Sequence, residues 1–366
     1  MKKTRFITLT VAALAFTFTI SMLWIGCSDE RTPISSIQQT EDTGLSVNNP
    51  RVAKVIVVQD FHTKRLMSDQ DVIGTATTIG EDGEPAIMLL VTTQKAFASA
   101  PKFIDGVPVQ AVLTDKIVAM DGGAQHRTKQ TAPIQLGTSG GWRTDLANGF
   151  CCGGTLGSLI NVGAQQRILS NYHVFEADIV PGGNGLVATT GDFIVQPGLI
   201  DVNCNANTAQ NVATLVKTSS LPGSNVDASS ATIISGMVNP NGAILDVGTL
   251  TSATIAASVN QLVKKSGRTS GLTRSKVSGL NATVSVSYEN ECAGGAAFTK
   301  TFTGQILVKN TGSRFLAGGD SGSLMVQDVT TNPRAVGLLF AGSSSIAVAN
   351  PINQVLSFFG ATMVGI

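Results

Sequence analysis

Apolar and polar positions alternate differently in successive parts of this chain. From Phe6 to about Gly26 an apolar run follows Lys2, Lys3 and Arg5. A cationic start followed by such a run reads as a secretory signal, so residues 1–26 are set apart from the fold. Residues 27–50 are polar and unpatterned, the texture of a solvated tether. Val52, Val55, Val58, Phe61 and Leu66 then recur at helical spacing and predict one amphipathic helix. Two apolar runs, Val72–Ile79 and residues 85–93, flank Gly80-Glu81-Asp82-Gly83-Glu84, which predicts a hairpin. A short helix near 94–100 and strands near 107–113 and 116–120 complete a small α+β unit over 51–121. Residues 122–131 read as a linker. From residue 132 onward, β-branched runs are punctuated by Gly, Asn, Pro and Ser, the pattern of short strands and turns. Within this part, Cys152 to Ile160 and Arg167 to Phe175 read as partner strands joined by a hairpin connection over 161–166.

Composition agrees with a mainly β architecture. Aromatic residues make up 5% and charged residues 13%, while 39 glycines supply turns. The net charge is +1, and losing Lys2, Lys3 and Arg5 with the signal leaves −2. No basic stripe remains to attract nucleic acid, so that partner class is set aside. No HExxH or CxxC pattern exists, and neither a metal nor another cofactor is expected. Nothing in the sequence specifies an oligomeric state.

The chemistry concentrates in Gly319-Asp320-Ser321-Gly322-Ser323. A serine hydroxyl attacks a carbonyl poorly unless a base takes its proton and donors stabilise the oxyanion. A glycine at 319 allows the turn to aim the N–H groups of Gly319 and Ser321 the same way, as an oxyanion hole requires. The base must come from His62, His126 or His173. His173 follows an apolar strand-like run, whereas His126 lies in a polar linker and is expected to be solvated, and His62 sits on the predicted helix, exposed. Asp227 stands at the mouth of a β-branched strand and is the candidate to orient the imidazole. Glu176, Asp178, Asp192, Asp201 and Asp246 compete with it, Asp246 most seriously. Gly137-Thr138-Ser139-Gly140-Gly141 also fits a G-x-S-x-G nucleophile elbow, but that motif needs a strand–turn–helix context. Polar loop and strands follow instead, so a turn before the first strand is expected there.

The segments CGGTLGS, LSNYHVF, NVDASSATI and GGDSGSLMV, in this order, resemble the trypsin/chymotrypsin-like serine peptidases. They are particularly similar to bacterial relatives of plant narrow-leaf-type trypsin-like proteins. FIVQPG, KSGRTSGLT and AVGLLFAG add support, and the resemblance covers about residues 132 to 360. It implies two six-stranded β-barrels with a His173, Asp227, Ser321 triad in the cleft between them, in the chain order of chymotrypsin. It further implies a polypeptide substrate and serine endopeptidase activity. The alternative is a non-catalytic binding lipoprotein on the same scaffold. The expected architecture is therefore a chymotrypsin-like double β-barrel, residues 132–366, preceded by the small α+β unit.

Four further expectations follow. In zymogen-activated relatives a newly cut N-terminus pairs with the carboxylate beside the nucleophile, here Asp320. No Arg-Ile-Val-Gly-Gly-like site precedes the domain, so internal hydrogen bonds are expected to hold the turn. The specificity pocket is expected near Phe315 and Gly342, with no acidic residue there and hence a small or apolar P1 side chain. Among Cys151, Cys152, Cys204 and Cys292, the expected disulfide joins Cys204 to Cys292, with the vicinal pair unassigned. Finally, Leu23-Trp24-Ile25-Gly26-Cys27 resembles a bacterial lipobox with Trp24 as its departure, which implies a lipid anchor on Cys27. The chain is then exported to the cell envelope, by Ser28 to the outer membrane or surface, or else secreted.

Overall fold

The computed structural model describes residues 45–117, 126–147, 150–176, 187–288, 298–310 and 314–366. The expected signal peptide, Cys27, most of the tether, Asp178 and Cys292 lie outside them.

Two curled antiparallel sheets carry the architecture, and the curl of each can be read from its pairings. In the first, Ser158–Val162 pairs with Gln165–Ser170, which pairs with Ser229–Ile233. That strand pairs with Gln210–Val216, then Phe193–Gln196, Thr138–Trp142 and Gly154–Leu156 in turn. Gly154–Leu156 runs through the single residue Gly157 back into Ser158–Val162, and Gly157 N–H donates to Leu169 O at 3.0 Å. The sheet thus closes on itself around Leu156, Ile168, Ile194, Val212 and Ala231. The expected 158–170 hairpin is present, with Gly163 at φ +59° making its tight turn.

The second ring runs Leu262–Gly267, Leu324–Gln327, Ala335–Gly342, Ile346–Pro351, Phe298–Lys309 and Gly271–Tyr288. The last of these pairs back to the first, from Leu262↔Lys276 to Gly267↔Gly271. Six strands therefore close a barrel, and the two barrels together form the chymotrypsin-like fold that the sequence predicts.

The 18-residue strand Gly271–Tyr288 extends beyond the ring, and the N-terminal unit uses its edge. Val72–Ile79 pairs with it at Leu280↔Thr77 and Val284↔Gly74. Pro85–Val91 and Val107–Leu113 follow in the same sheet, the latter parallel after the helix Gln94–Ser99. Strands within residues 72–113 thus continue the second sheet through backbone hydrogen bonds. The helix Pro50–Leu66 packs on this extension through Val52, Val55 and Leu66. Its stripe differs from the sequence expectation in one place: Phe61 is 81% exposed and Gln59 is buried. Gln59 is satisfied there, donating to Asn281 O at 2.9 Å and accepting from Thr77 Oγ1 at 2.7 Å, so its amide is hydrogen-bonded rather than stranded.

Candidate active site

Adjacent strands bring His173 and Asp227 to one end of the first barrel. Ser170 pairs with Ser229, so the residue three beyond the first strand and the residue two before the second share a corner. His173 sits in the one-turn helix Tyr172–Phe175. Its Nδ1 lies 2.6 Å from Asp227 Oδ2. Asp227 is fully buried, and Tyr172 N–H donates to its Oδ1 at 2.7 Å. Its backbone is clamped as well: Asn171 Nδ2 donates to its carbonyl at 2.7 Å, and its N–H donates to Asn350 Oδ1 at 3.0 Å.

The rival carboxylates are engaged elsewhere. Asp246 Oδ2 lies 3.0 Å from His126 Nε2. Asp201 takes a two-pronged contact from the buried Arg268, Nε to Oδ2 and Nη2 to Oδ1, both 2.7 Å. Asp192 accepts from Trp142 Nε1 at 3.0 Å. Glu176 accepts from the Thr218 and Ser219 N–H groups and from Ser229 Oγ. Burial raises the Glu176 pKa, a rise opposed by those three donors.

His126 is not solvated as expected. Its ring is 12% exposed, with Nδ1 3.0 Å from Gly137 O, so it ties the segment before the first strand to the barrel. His62 is likewise engaged, 2.7 Å from Asp105 Oδ2. Ser139 lies within the strand Thr138–Trp142 rather than in a turn before it. Its Oγ donates to Asp201 Oδ2 at 2.5 Å and accepts from Gly198 N–H at 2.9 Å, so it is part of the packing of that barrel.

Ser321 comes from the turn before Leu324–Gln327 in the second barrel, and strand Gly154–Leu156 joins the two corners. Thr155 N–H donates to Ser321 O and Thr155 Oγ1 to Gly319 O, both at 2.9 Å. Ser170 Oγ donates to Thr155 O at 2.8 Å. A Cβ on Gly154 would stand 2.6 Å from Val174 Cγ2 and 2.9 Å from Ser321 O, so only glycine lets the His173 corner and the Ser321 turn close from both sides. Gly319 has φ +82°, the left-handed region that favours glycine. Neither the Gly319 nor the Ser321 N–H donates a hydrogen bond to another described residue.

The serine and the imidazole are not hydrogen-bonded to each other. Ser321 is 1% exposed, and its hydroxyl donates weakly to Phe340 O at 3.4 Å. His173 Nε2 is buried without a hydrogen-bond partner. Such a group in a native core calls for an explanation, since leaving it unmet costs about 1–3 kcal/mol.

Asp320 is held from inside the chain. Lys265 Nζ lies 2.9 Å from its Oδ2, and Ala317 N–H donates to the same oxygen at 3.0 Å. Thr269 and Ser270 N–H groups donate to Oδ1 at 2.8 and 3.1 Å, and Ser270 Oγ closes on Oδ2. Burial pushes the Lys265 pKa down, opposed by Asp320. Sequence reasoning foresaw the internal bonds but not Lys265, although two lysines amid the buried strand Leu262–Gly267 are the signal that could have found it. It also missed Tyr288, whose hydroxyl donates to Asp227 Oδ2 at 2.9 Å.

Phe315 packs in the second barrel with Val263, Val277 and Met325. Beside Gly342, Leu316 Cδ2 and Ile346 O stand 3.2 and 2.9 Å from where a Cβ would be.

The expected Cys204–Cys292 disulfide is not formed, because Cys204 is bonded to Cys151 with Cα atoms 5.4 Å apart. The chain turns back after Leu199–Asp201, with Cys204 N–H donating to Leu199 O. That return is docked beside Cys151 and Cys152 through the close approach of Gly198 and Gly153. Cys152 is disulfide-bonded as well.

Two closed antiparallel barrels with this corner between them are the trypsin-like serine peptidase fold. The family model of the Nal1 C-terminal domain matches residues 185–350. No curated protein matches the chain. Among solved structures, a glutamic acid specific serine protease is 19% identical, covering 63% of this chain and 100% of its own, with a TM-score of 0.40. Thermobifida fusca protease A is 20% identical over 63% and 98%, at 0.41. Cellulomonas bogoriensis chymotrypsin is 20% identical over 58% and 91%, at 0.36.

Proposed function

We propose that this protein is a serine endopeptidase that cuts polypeptides with Ser321, His173 and Asp227. The observation that carries the reading is the His173–Asp227 contact of 2.6 Å on a buried carboxylate, which leaves Nε2 as a base without a partner among the described residues. Ser321 Oγ attacks the scissile carbonyl carbon and passes its proton to Nε2. The Gly319 and Ser321 N–H groups hold the oxyanion. His173 then gives the proton to the leaving amine as the C–N bond breaks, and water hydrolyses the acyl-enzyme by the same route. Asp227 holds the ring orientation and stabilises the imidazolium that forms. Small or apolar P1 residues are the preference that the sequence around Phe315 and Gly342 supports, and the Asp115 carboxylate near that loop is occupied by Ser344 N–H and Oγ.

The test is hydrolysis of an unbiased peptide library by the purified chain, with Ser321→Ala as control. Cleavage lost in that variant supports the reading; no cleavage by folded wild type contradicts it. One observation favours a second reading, a non-catalytic binding protein on the same scaffold: Ser321 is 1% exposed and does not reach the imidazole. In apo sites such bonds are often unformed until substrate arrives, which keeps hydrolysis the better reading. The sequence of residues 1–27 supports export and a lipid anchor on Cys27, and hence a place in the cell envelope.

A further inference from the structure

We infer that Tyr288 is a positioning residue for the His173–Asp227 pair, a fourth member of the site supplied from the opposite barrel. The inference rests on the peptidase reading above. His173 and Asp227 belong to the first barrel and Ser321 to the second, so their relation depends on what crosses between. Tyr288 ends the long strand Gly271–Tyr288 of the second barrel and reaches across. Its hydroxyl donates to Asp227 Oδ2 at 2.9 Å, the oxygen that also faces His173 Nδ1. Asn350 reaches the Asp227 backbone from the same barrel, but among the described residues Tyr288 is the second-barrel side chain bonded to the carboxylate itself.

The geometry leaves the carboxylate little freedom. Oδ1 is engaged by Tyr172 N–H and Oδ2 by two donors, so rotation of the carboxylate about its bond breaks at least one contact. The Tyr288 ring meets His173 at 5.9 Å between centroids and 63° between planes. On its other side it stacks on Phe298 at 4.9 Å and 10°. Phe302 continues the row to Phe340, whose carbonyl faces the Ser321 hydroxyl. The hydroxyl is therefore presented by a ring that cannot swing, and it bears on the partner of the base rather than on the substrate. Burial and the neighbouring Asp227 push the phenol pKa well above its ordinary value, so it stays a donor.

Tyr288→Phe removes the donor and keeps the stacked ring. The expected result is a fall in kcat of about 10- to 100-fold with KM unchanged, the rate equivalent of one hydrogen bond to a charged group. The His173 Nδ1–H proton resonance should move in the same variant, because the acceptor it faces has lost its second donor. In the resting wild type, a slowly exchanging phenolic proton should cross-relax with that Nδ1–H. These two spectra need no turnover, so they separate failure of this inference from failure of the peptidase reading. The wild-type spectrum also needs no variant that folds. An unchanged Nδ1–H resonance with kcat within about twofold of wild type, or no such phenolic proton, overturns the inference.

Discussion

Lys265 and Asp320 form an ion pair of 2.9 Å with both side chains fully buried, directly behind the Ser321 turn. Two buried charges are costly apart and tolerable together, so this pair fixes the position of the residue preceding Ser321. Five groups converge on the Asp320 carboxylate, all from within the chain. On the peptidase reading, the unprocessed protein is therefore active without a cut near residues 130–150. Activity that appears only after such a cut would contradict this.

Breaking one half of the pair leaves the other charge unmet. Lys265→Met should destabilise the protein by about 3–5 kcal/mol, and adding Asp320→Asn should recover part of the loss. Urea unfolding midpoints of the single and double variants give the comparison. Equal stability of wild type and Lys265→Met would show that the pair does not anchor the turn.

The turn itself tolerates no side chain at 319. A Cβ there would stand 2.5 Å from Arg268 Nη1 and 2.7 Å from Thr269 Oγ1, on a residue at φ +82°. On the peptidase reading, Gly319→Ala should displace its N–H and lower kcat by about 10²–10³-fold, the usual loss for one oxyanion donor. Steady-state kinetics on a good peptide substrate gives the number, and an unchanged kcat would remove Gly319 from the oxyanion hole.

Glu176 supplies a pH test of the fold around the Asp227 strand. Its pKa is raised above the ordinary 4.5, chiefly by burial. The folded protein therefore holds this proton more tightly than the unfolded chain does. The stability it contributes is complete below 4.5 and is lost as pH rises through the folded value. Thermal melts between about pH 4 and pH 7 should show wild type losing stability relative to Glu176→Gln. Parallel curves would contradict the assignment.

The Cys151–Cys204 bridge closes a separation of 53 residues. In the chain-entropy account such a loop is worth about 4 kcal/mol. Cys204→Ala should lower the unfolding free energy by up to that amount. A variant as stable as wild type would show that the first barrel does not depend on this bridge.

Much of this was legible in the sequence because local pattern decided it. The 72–79 and 85–91 hairpin and the 158–170 hairpin follow from β-branched runs around glycine turns. His173 and Asp227 stand beside strands whose pairing brings them together. What was not legible depends on packing between distant segments. Phe61 and Gln59 exchange their expected places because Thr77 and Asn281 offer the glutamine amide its partners. Cys204 meets Cys151 through a chain reversal that spacing alone does not encode. Tyr288 acts across the barrels and Lys265 across distant segments of the second, and neither has a motif. The reach of Gly271–Tyr288 beyond its barrel, which lets residues 72–113 join the sheet, was likewise invisible until the pairing was seen.

The most direct test of the central claim is reaction of the folded, full chain with a fluorophosphonate probe, located by mass spectrometry. The account predicts one adduct, on Ser321, lost in Ser321→Ala and strongly slowed in His173→Ala. Folded wild type that takes up no label, or takes it equally in His173→Ala, would contradict it.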